Sequence, residues 1–202
     1  MKMRLLVSIS LIMLMMAGCA GTRPVHYYSI QPASQPASAP ANPAAPDGLI
    51  LLVGDISTPA ILQDGRIRYR IGPNETGAYE YHRWVERPGT MVRDSLVRAL
   101  RASGKYSRVL EAGTSSTGDF LVRGKLYEFG EVDTTSVLTK ISLQVELVDE
   151  KTNRSVWDRM VERDEPVGSK NVAEVVQSLD RNLQHVVSDS AADIGGYLAA
   201  RR

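Results

Sequence analysis

The chain has 202 residues, 43% of them hydrophobic and 23% charged, which excludes a chain disordered throughout, a collagen-like repeat and a polytopic membrane protein and leaves one ordinary domain with appendages. Its 24 basic and 23 acidic residues give a formal charge of +1, without the basic excess of a protein that makes many phosphate contacts, so nucleic acid is not expected as a partner. Cys19 is the sole cysteine, which rules out an intrachain disulfide and a Cys-rich zinc site.

Lys2 and Arg4 precede the 13 positions Leu5 to Ala17, where Ser8 and Ser10 are the only polar residues. This is the pattern of a signal peptide, and its helical length of about 20 Å falls short of a hydrocarbon core about 30 Å thick. Met16-Ala17-Gly18-Cys19 resembles the bacterial lipobox, which implies removal of residues 1–18 and a mature N-terminus at Cys19 carrying diacylglyceryl and N-acyl chains. Several acyl chains make such an attachment durable. By resemblance to enterobacterial lipoproteins, Ala20 rather than Asp implies transfer to the outer membrane, on its periplasmic face. Loss of Lys2 and Arg4 leaves 22 basic against 23 acidic residues, so the acyl chains rather than charge are expected to hold the body to lipid.

Residues 19–47 are read as the lipidated N-terminus and tether. Pro32, Pro36, Pro40, Pro43 and Pro46 punctuate the Ala- and Ser-rich stretch 31–46, which favours extended polyproline II: either a semi-rigid spacer of up to roughly 50 Å between membrane and domain, or a linker with no length requirement. Upstream, Val25 to Ile30 has the β-branched and aromatic residues of a short strand that joins the domain or a partner.

The domain is placed at residues 48–202. Leu49 to Val53, between Gly48 and Gly54, reads as a buried strand; Ile67–Arg70 and Tyr79–Trp84 read as short strands around the Gly72-Pro73-Asn74 turn. Pro88 opens a helix with Val92, Leu96, Ala99 and Leu100 on one face, stopped by Gly104. After a short strand at 106–110 and a polar loop at 113–118, strands are expected from Phe120 to Glu131, around Ile141–Leu147 and over Ser155–Glu162, with Trp157 covering one face. The alternation of Ile141, Leu143, Val145 and Leu147 with Ser142, Gln144 and Glu146 predicts a sheet with one apolar and one wet face. Val172, Val175, Val176, Leu179, Leu183, Val186 and Val187 step by threes and fours behind an Asn171/Glu174 capping box, which predicts a long amphipathic helix frayed at Gly195-Gly196. The fold class that satisfies these faces is α+β: a two-layer sandwich of a mostly antiparallel sheet with two helices packed on one face.

The search for chemistry finds no catalytic residues and no metal site. His26, His82 and His185 fall in the tether, a strand and a helix without a second ligand at metal spacing, and there is no nucleophile elbow, P-loop or dinucleotide fingerprint. The carboxylate pairs Asp149/Glu150 and Asp164/Glu165 fall in turn-like stretches, where neighbours stay solvated. No cofactor is expected beyond the lipid on Cys19. What stands out is the basic and aromatic stretch of Arg66, Arg68, Tyr69, Arg70, Tyr79, Tyr81, His82, Arg83 and Trp84, residue types enriched at protein interfaces, and it is the candidate partner-binding surface.

The lipobox cysteine, Tyr27-Tyr28-Ser29-Ile30, the Pro/Ala stretch, Ile67-Arg68-Tyr69-Arg70 with Pro73-Asn74, Tyr79-Glu80-Tyr81, Arg83-Trp84 and Glu86 together resemble the ABC-type transport auxiliary lipoprotein family, to which the PqiC-type intermembrane-transport lipoproteins belong. Gln63-Asp64-Gly65-Arg66 departs from the Leu-Asp-Arg lead-in of that family. The resemblance implies a non-enzymatic outer-membrane lipoprotein that works with a mammalian-cell-entry (MCE) domain protein and an ABC transporter in moving phospholipid-like molecules, and it implies self-association. The alternative is a lipid carrier that shields acyl chains itself, which requires an apolar cavity of several hundred Å³.

Overall fold

A computed structural model describes residues 23–30, 48–113 and 117–201. The expected signal peptide, Cys19 and the Pro/Ala stretch lie outside the described residues. In chain order the elements are β1 (His26–Tyr28), β2 (Ile50–Ser57), a 3₁₀ turn (Ala60–Leu62), β3 (Arg66–Arg70), β4 (Thr76–Trp84), α1 (Pro88–Ala102), β5 (Arg108–Glu111), β6 (Phe120–Asp133), β7 (Val137–Asp149), β8 (Arg154–Pro166) and α2 (Val172–Ala200). They form the α+β arrangement expected, an eight-stranded sheet with both helices on one face.

The long strand β6 is the spine. β7 pairs antiparallel along its whole length, and β8 pairs antiparallel with β7. On its other edge β6 has two neighbours placed end to end: β2 runs parallel beside Phe120–Lys125, and β3 runs parallel beside Glu131–Val132. Beyond β2 lies β5; beyond β3 come β4, its antiparallel hairpin partner, and then β1, parallel to β4. The sheet is therefore mixed, with its two longest ladders antiparallel.

Thr139, Ile141, Leu143, Val145 and Leu147 of β7 are all fully buried beneath the helices. Val92, Leu96 and Leu100 of α1 and Val175, Leu179, Leu183, Val186, Ile194 and Leu198 of α2 join them in one core with Leu51, Val53, Val122 and Leu126. Each such aliphatic side chain taken out of water stabilises the fold by about 1.5–3 kcal/mol. Pro88 starts α1 where no side chain caps it, because its missing N–H falls where a donor would be unpaired anyway. Gly104, at φ +63°, takes the left-handed conformation just past the helix end. At α2 the Asn171 side-chain oxygen accepts the Glu174 N–H at 3.0 Å.

Three expectations are corrected. The helix α2 does not fray at Gly195-Gly196 but continues to Ala200, because Gly195 is buried against Lys105 and Leu198 remains in the core. Asp164 and Glu165 lie within β8 rather than in a turn, so they point to opposite faces of the sheet. The third concerns the tether. His26, Tyr27 and Tyr28 pair in register with His82, Arg83 and Trp84, so the short strand foreseen upstream of the prolines joins the domain. Residues 31–47 therefore connect two strands of one sheet and do not separate Cys19 from the folded body.

Candidate functional site

The arginines of β3 and the aromatics of β4 end on opposite sides of the sheet. Arg66, Arg68 and Arg70 alternate with buried Ile67 and with Tyr69, and so share the face away from the helices. On β4 the ladder slips between the Arg66/Arg83 and Arg68/Ala78 pairs, where Tyr79 to His82 bulge opposite Ile67. The bulge reverses the alternation: Tyr79, His82 and Trp84 turn to the helix side, while Tyr81 and Arg83 stay on the open side.

On the helix side these residues build an aromatic cluster. The rings of His26 and His82 stack at 5.2 Å, and the Tyr28 hydroxyl lies 2.9 Å from His82 Nδ1. Tyr79 meets His82 edge-on at 5.7 Å and Tyr69 at 5.1 Å. Tyr69 in turn lies across Gly77, where any Cβ would fall 2.3 Å from its ring. Tyr79 reaches over β3 to donate its hydroxyl to Glu131 of β6 at 2.6 Å. Burial and then the Glu131 carboxylate push the Tyr79 hydroxyl well above the usual phenol range. Burial, and then the neighbouring His26, lower the His82 pKa from its ordinary value and favour the neutral ring. Trp84, 4% exposed and edge-on to Phe129 at 5.5 Å, belongs to the core and not to a partner surface.

The open face carries a groove of about 440 Å³ between β3 and β8. Its floor is β6 and β7, with Gly130 and Ser142; Arg68 and Arg70 form one bank, Met160 and Glu162 the other, and Ile61 and Leu62 of the 3₁₀ turn close an end. Ile61, Tyr127 and Met160 are 41%, 43% and 46% exposed, and the latter two are large aromatic or apolar groups on the open side of strands. Arg68 and Arg66 both bind Asp64 at 2.7 Å, and Arg70 binds Glu128 at 2.8 Å. Burial alone would raise Asp64, but the hydrogen bonds and charge of Arg66 and Arg68 outweigh it and hold the carboxyl below its ordinary value. The groove is thus charge-balanced. The Nε–H groups of Arg68 and Arg70 are buried and have no hydrogen-bond partner among the described residues.

The Ser142 hydroxyl donates to Glu162 at 2.9 Å, not to a histidine. His26 and His82 lie across the sheet, and His185 binds Glu165 at 2.8 Å on α2. Among the described residues no three His, Cys, Asp or Glu side chains converge to hold a metal ion, and no helix is long and apolar enough to cross a membrane. Of the candidate surface, Arg68 and Arg70 line the groove, Tyr81 and Arg83 flank it toward β1, and Tyr69, Tyr79 and His82 support β3 and β4 from behind. The sequence reading missed Ile61, Tyr127, Glu128, Ser142, Met160 and Glu162, which join the arginines only through sheet pairing. Tyr127 and Met160 did carry a signal, as large apolar residues at wet strand positions.

An α+β domain with a groove on its uncovered sheet face is the class that these features define. The profile of the ABC-type transport auxiliary lipoprotein component matches residues 28–191, and the chain belongs to that family. The crystal structure of a Xanthomonas campestris protein is 23% identical, with a TM-score of 0.73 over 88% of this chain and 100% of that one. A hypothetical protein of Chlamydia trachomatis is 12% identical, with a TM-score of 0.53 over 76% of this chain and 99% of its own. These likenesses show the fold. No curated protein matches the chain.

Proposed function

We propose that this transport auxiliary lipoprotein is a non-catalytic docking component, anchored through Cys19 at the periplasmic face of the outer membrane, that seats an MCE-domain protein of an ABC-type intermembrane phospholipid transporter on its open sheet face. The observation that carries the reading is the groove, where exposed Ile61, Tyr127 and Met160 lie beside Arg68 and Arg70. Arg and aromatic side chains around such a site are what partner surfaces enrich. The family's transport-auxiliary role and the signal-like N-terminus support the placement; self-association remains part of the same reading.

The groove favours docking over the carrier alternative. A carrier that shields acyl chains needs an enclosed apolar lining, whereas this groove is open to water and holds Arg68, Arg70, Glu128, Ser142 and Glu162. The test is co-purification of the lipidated chain with its MCE-domain partner. Charge reversal at Arg68 and Arg70 is expected to abolish capture, and so is Tyr127→Ala combined with Met160→Asp, which leaves the ion pairs intact. Full capture by both variants at unchanged melting temperature refutes the site. Separately, Cys19→Ser is expected to move the protein from the membrane to the soluble fraction.

A further inference from the structure

The first described strand is an edge strand of the sheet, close in sequence to the proposed anchor. His26 follows Cys19 by seven residues and Arg23 by four, so a fully extended chain places them at most about 25 Å and about 14 Å away. The Pro/Ala stretch comes after β1 and lends no reach. With β1 paired to β4, an acylated Cys19 holds this corner of the sheet at the bilayer surface.

The side chains at that corner have the chemistry of a lipid headgroup zone. On the open face of β1, Val25 and Tyr27 are 41% and 64% exposed, and Val85, whose N–H binds the Tyr28 carbonyl, is 63% exposed. Tyr27 stands in register with Arg83, and the Arg23 guanidinium lies 5.8 Å from the ring centre of Tyr81. Tyrosine offers an apolar ring with a polar tip and arginine an apolar stem with a charged head, the amphipathic shapes that settle where hydrocarbon meets headgroups. Glu80 hydrogen-bonds Tyr81 and offsets part of the arginine charge, so the contact depends on amphipathic character more than on net charge.

We propose that Arg23, Val25, Tyr27, Tyr81, Arg83 and Val85 form a second membrane contact that lies in the headgroup layer of the bilayer. This rests on the Cys19 anchor proposed above and adds an orientation to it. The sheet stands on its β1 edge, and β8, five strand spacings away in the order β1-β4-β3-β6-β7-β8, is about 24 Å further from the membrane. The groove then opens sideways above the surface.

The test uses the full lipidated chain in vesicles of phosphatidylethanolamine with a minor share of phosphatidylglycerol. Acylation occupies the Cys19 thiol, so Val25→Cys, Tyr27→Cys and, as a control on the exposed face of α2, Ser188→Cys each offer one thiol for a nitroxide label. Collisions with oxygen are expected to exceed those with an aqueous nickel chelate at 25 and 27, and the reverse at 188. Labels at 25 and 27 as open to nickel as that at 188, on protein that still floats with the vesicles, overturn the contact while sparing the anchor. Buried labels that gain no lipid-phase oxygen identify a protein interface and overturn it as well. Protein that fails to float refutes the anchor, and the contact with it.

Discussion

The Tyr79–Glu131 bond ties β4 to β6 across the strand that carries Arg68 and Arg70, and its removal should loosen that strand. Tyr79→Phe keeps the ring edge-on to Tyr69 but deletes the donor that lies 2.6 Å from a carboxylate only 3% exposed. Hydrogen bonds to charged groups contribute about 1.5–3 kcal/mol, so a loss of about 2 kcal/mol is expected, or about 4–8 °C in melting temperature for a domain of this size. Urea and thermal unfolding of a soluble form beginning at Ala20 would measure it. Combined with Glu131→Gln, the two losses should fall short of additivity by at least about 1 kcal/mol. The same bond sets an alkaline limit. Because folding raises the Tyr79 pKa, its contribution is fully present below the unfolded value near 10 and is lost as pH rises above it. A Tyr79→Phe change under about 0.5 kcal/mol, additive with Glu131→Gln, would refute the account.

Gly130→Ala would place a Cβ 2.7 Å from the Arg68 carbonyl oxygen and force β3 from β6; we expect a loss of about 1–3 kcal/mol by unfolding and weaker partner capture at temperatures where the fold persists. Glu165 is held below the ordinary carboxyl range because Arg163 and His185 outweigh its burial. Its contribution is therefore present above the unfolded pKa near 4.3 and lost as pH falls through the folded value, so Glu165→Gln should flatten the acid limb of the stability curve. Asn171→Ala removes the cap of α2 and should cost about 1 kcal/mol, read as a lower denaturation midpoint with an unchanged slope.

Local pattern carried much of this fold. The period-two stripe of β7, the helical stripes of α1 and α2 and the Asn171 cap were legible because each is a short-range signal that the core then rewards. Trp84 was not, since the bulge in β4 shifts its face and a bulge has no marker in the residues themselves. Gly195-Gly196 read as a helix end because glycine weakens an isolated helix; burial of Ile194 and Leu198 on either side overrides that preference. In the groove, Arg68 and Arg70 were visible as a basic alternation. Their neighbours Ser142, Met160 and Glu162 arrive from far along the chain through the register of β6, β7 and β8, which composition does not encode.

The outer strand β8 presents 13 residues with no pairing on its far side among the described elements, a template on which another chain could add. A flush antiparallel match with its own copy about Met160 sets Asp158 against Glu162, and one about Val161 sets Arg159 against Arg163. Like charges directly opposed repel, and charged margins of this kind discourage open-ended stacking. The charges along β8 thus work against these two flush pairings of copies and help keep an unpaired edge from seeding a growing stack.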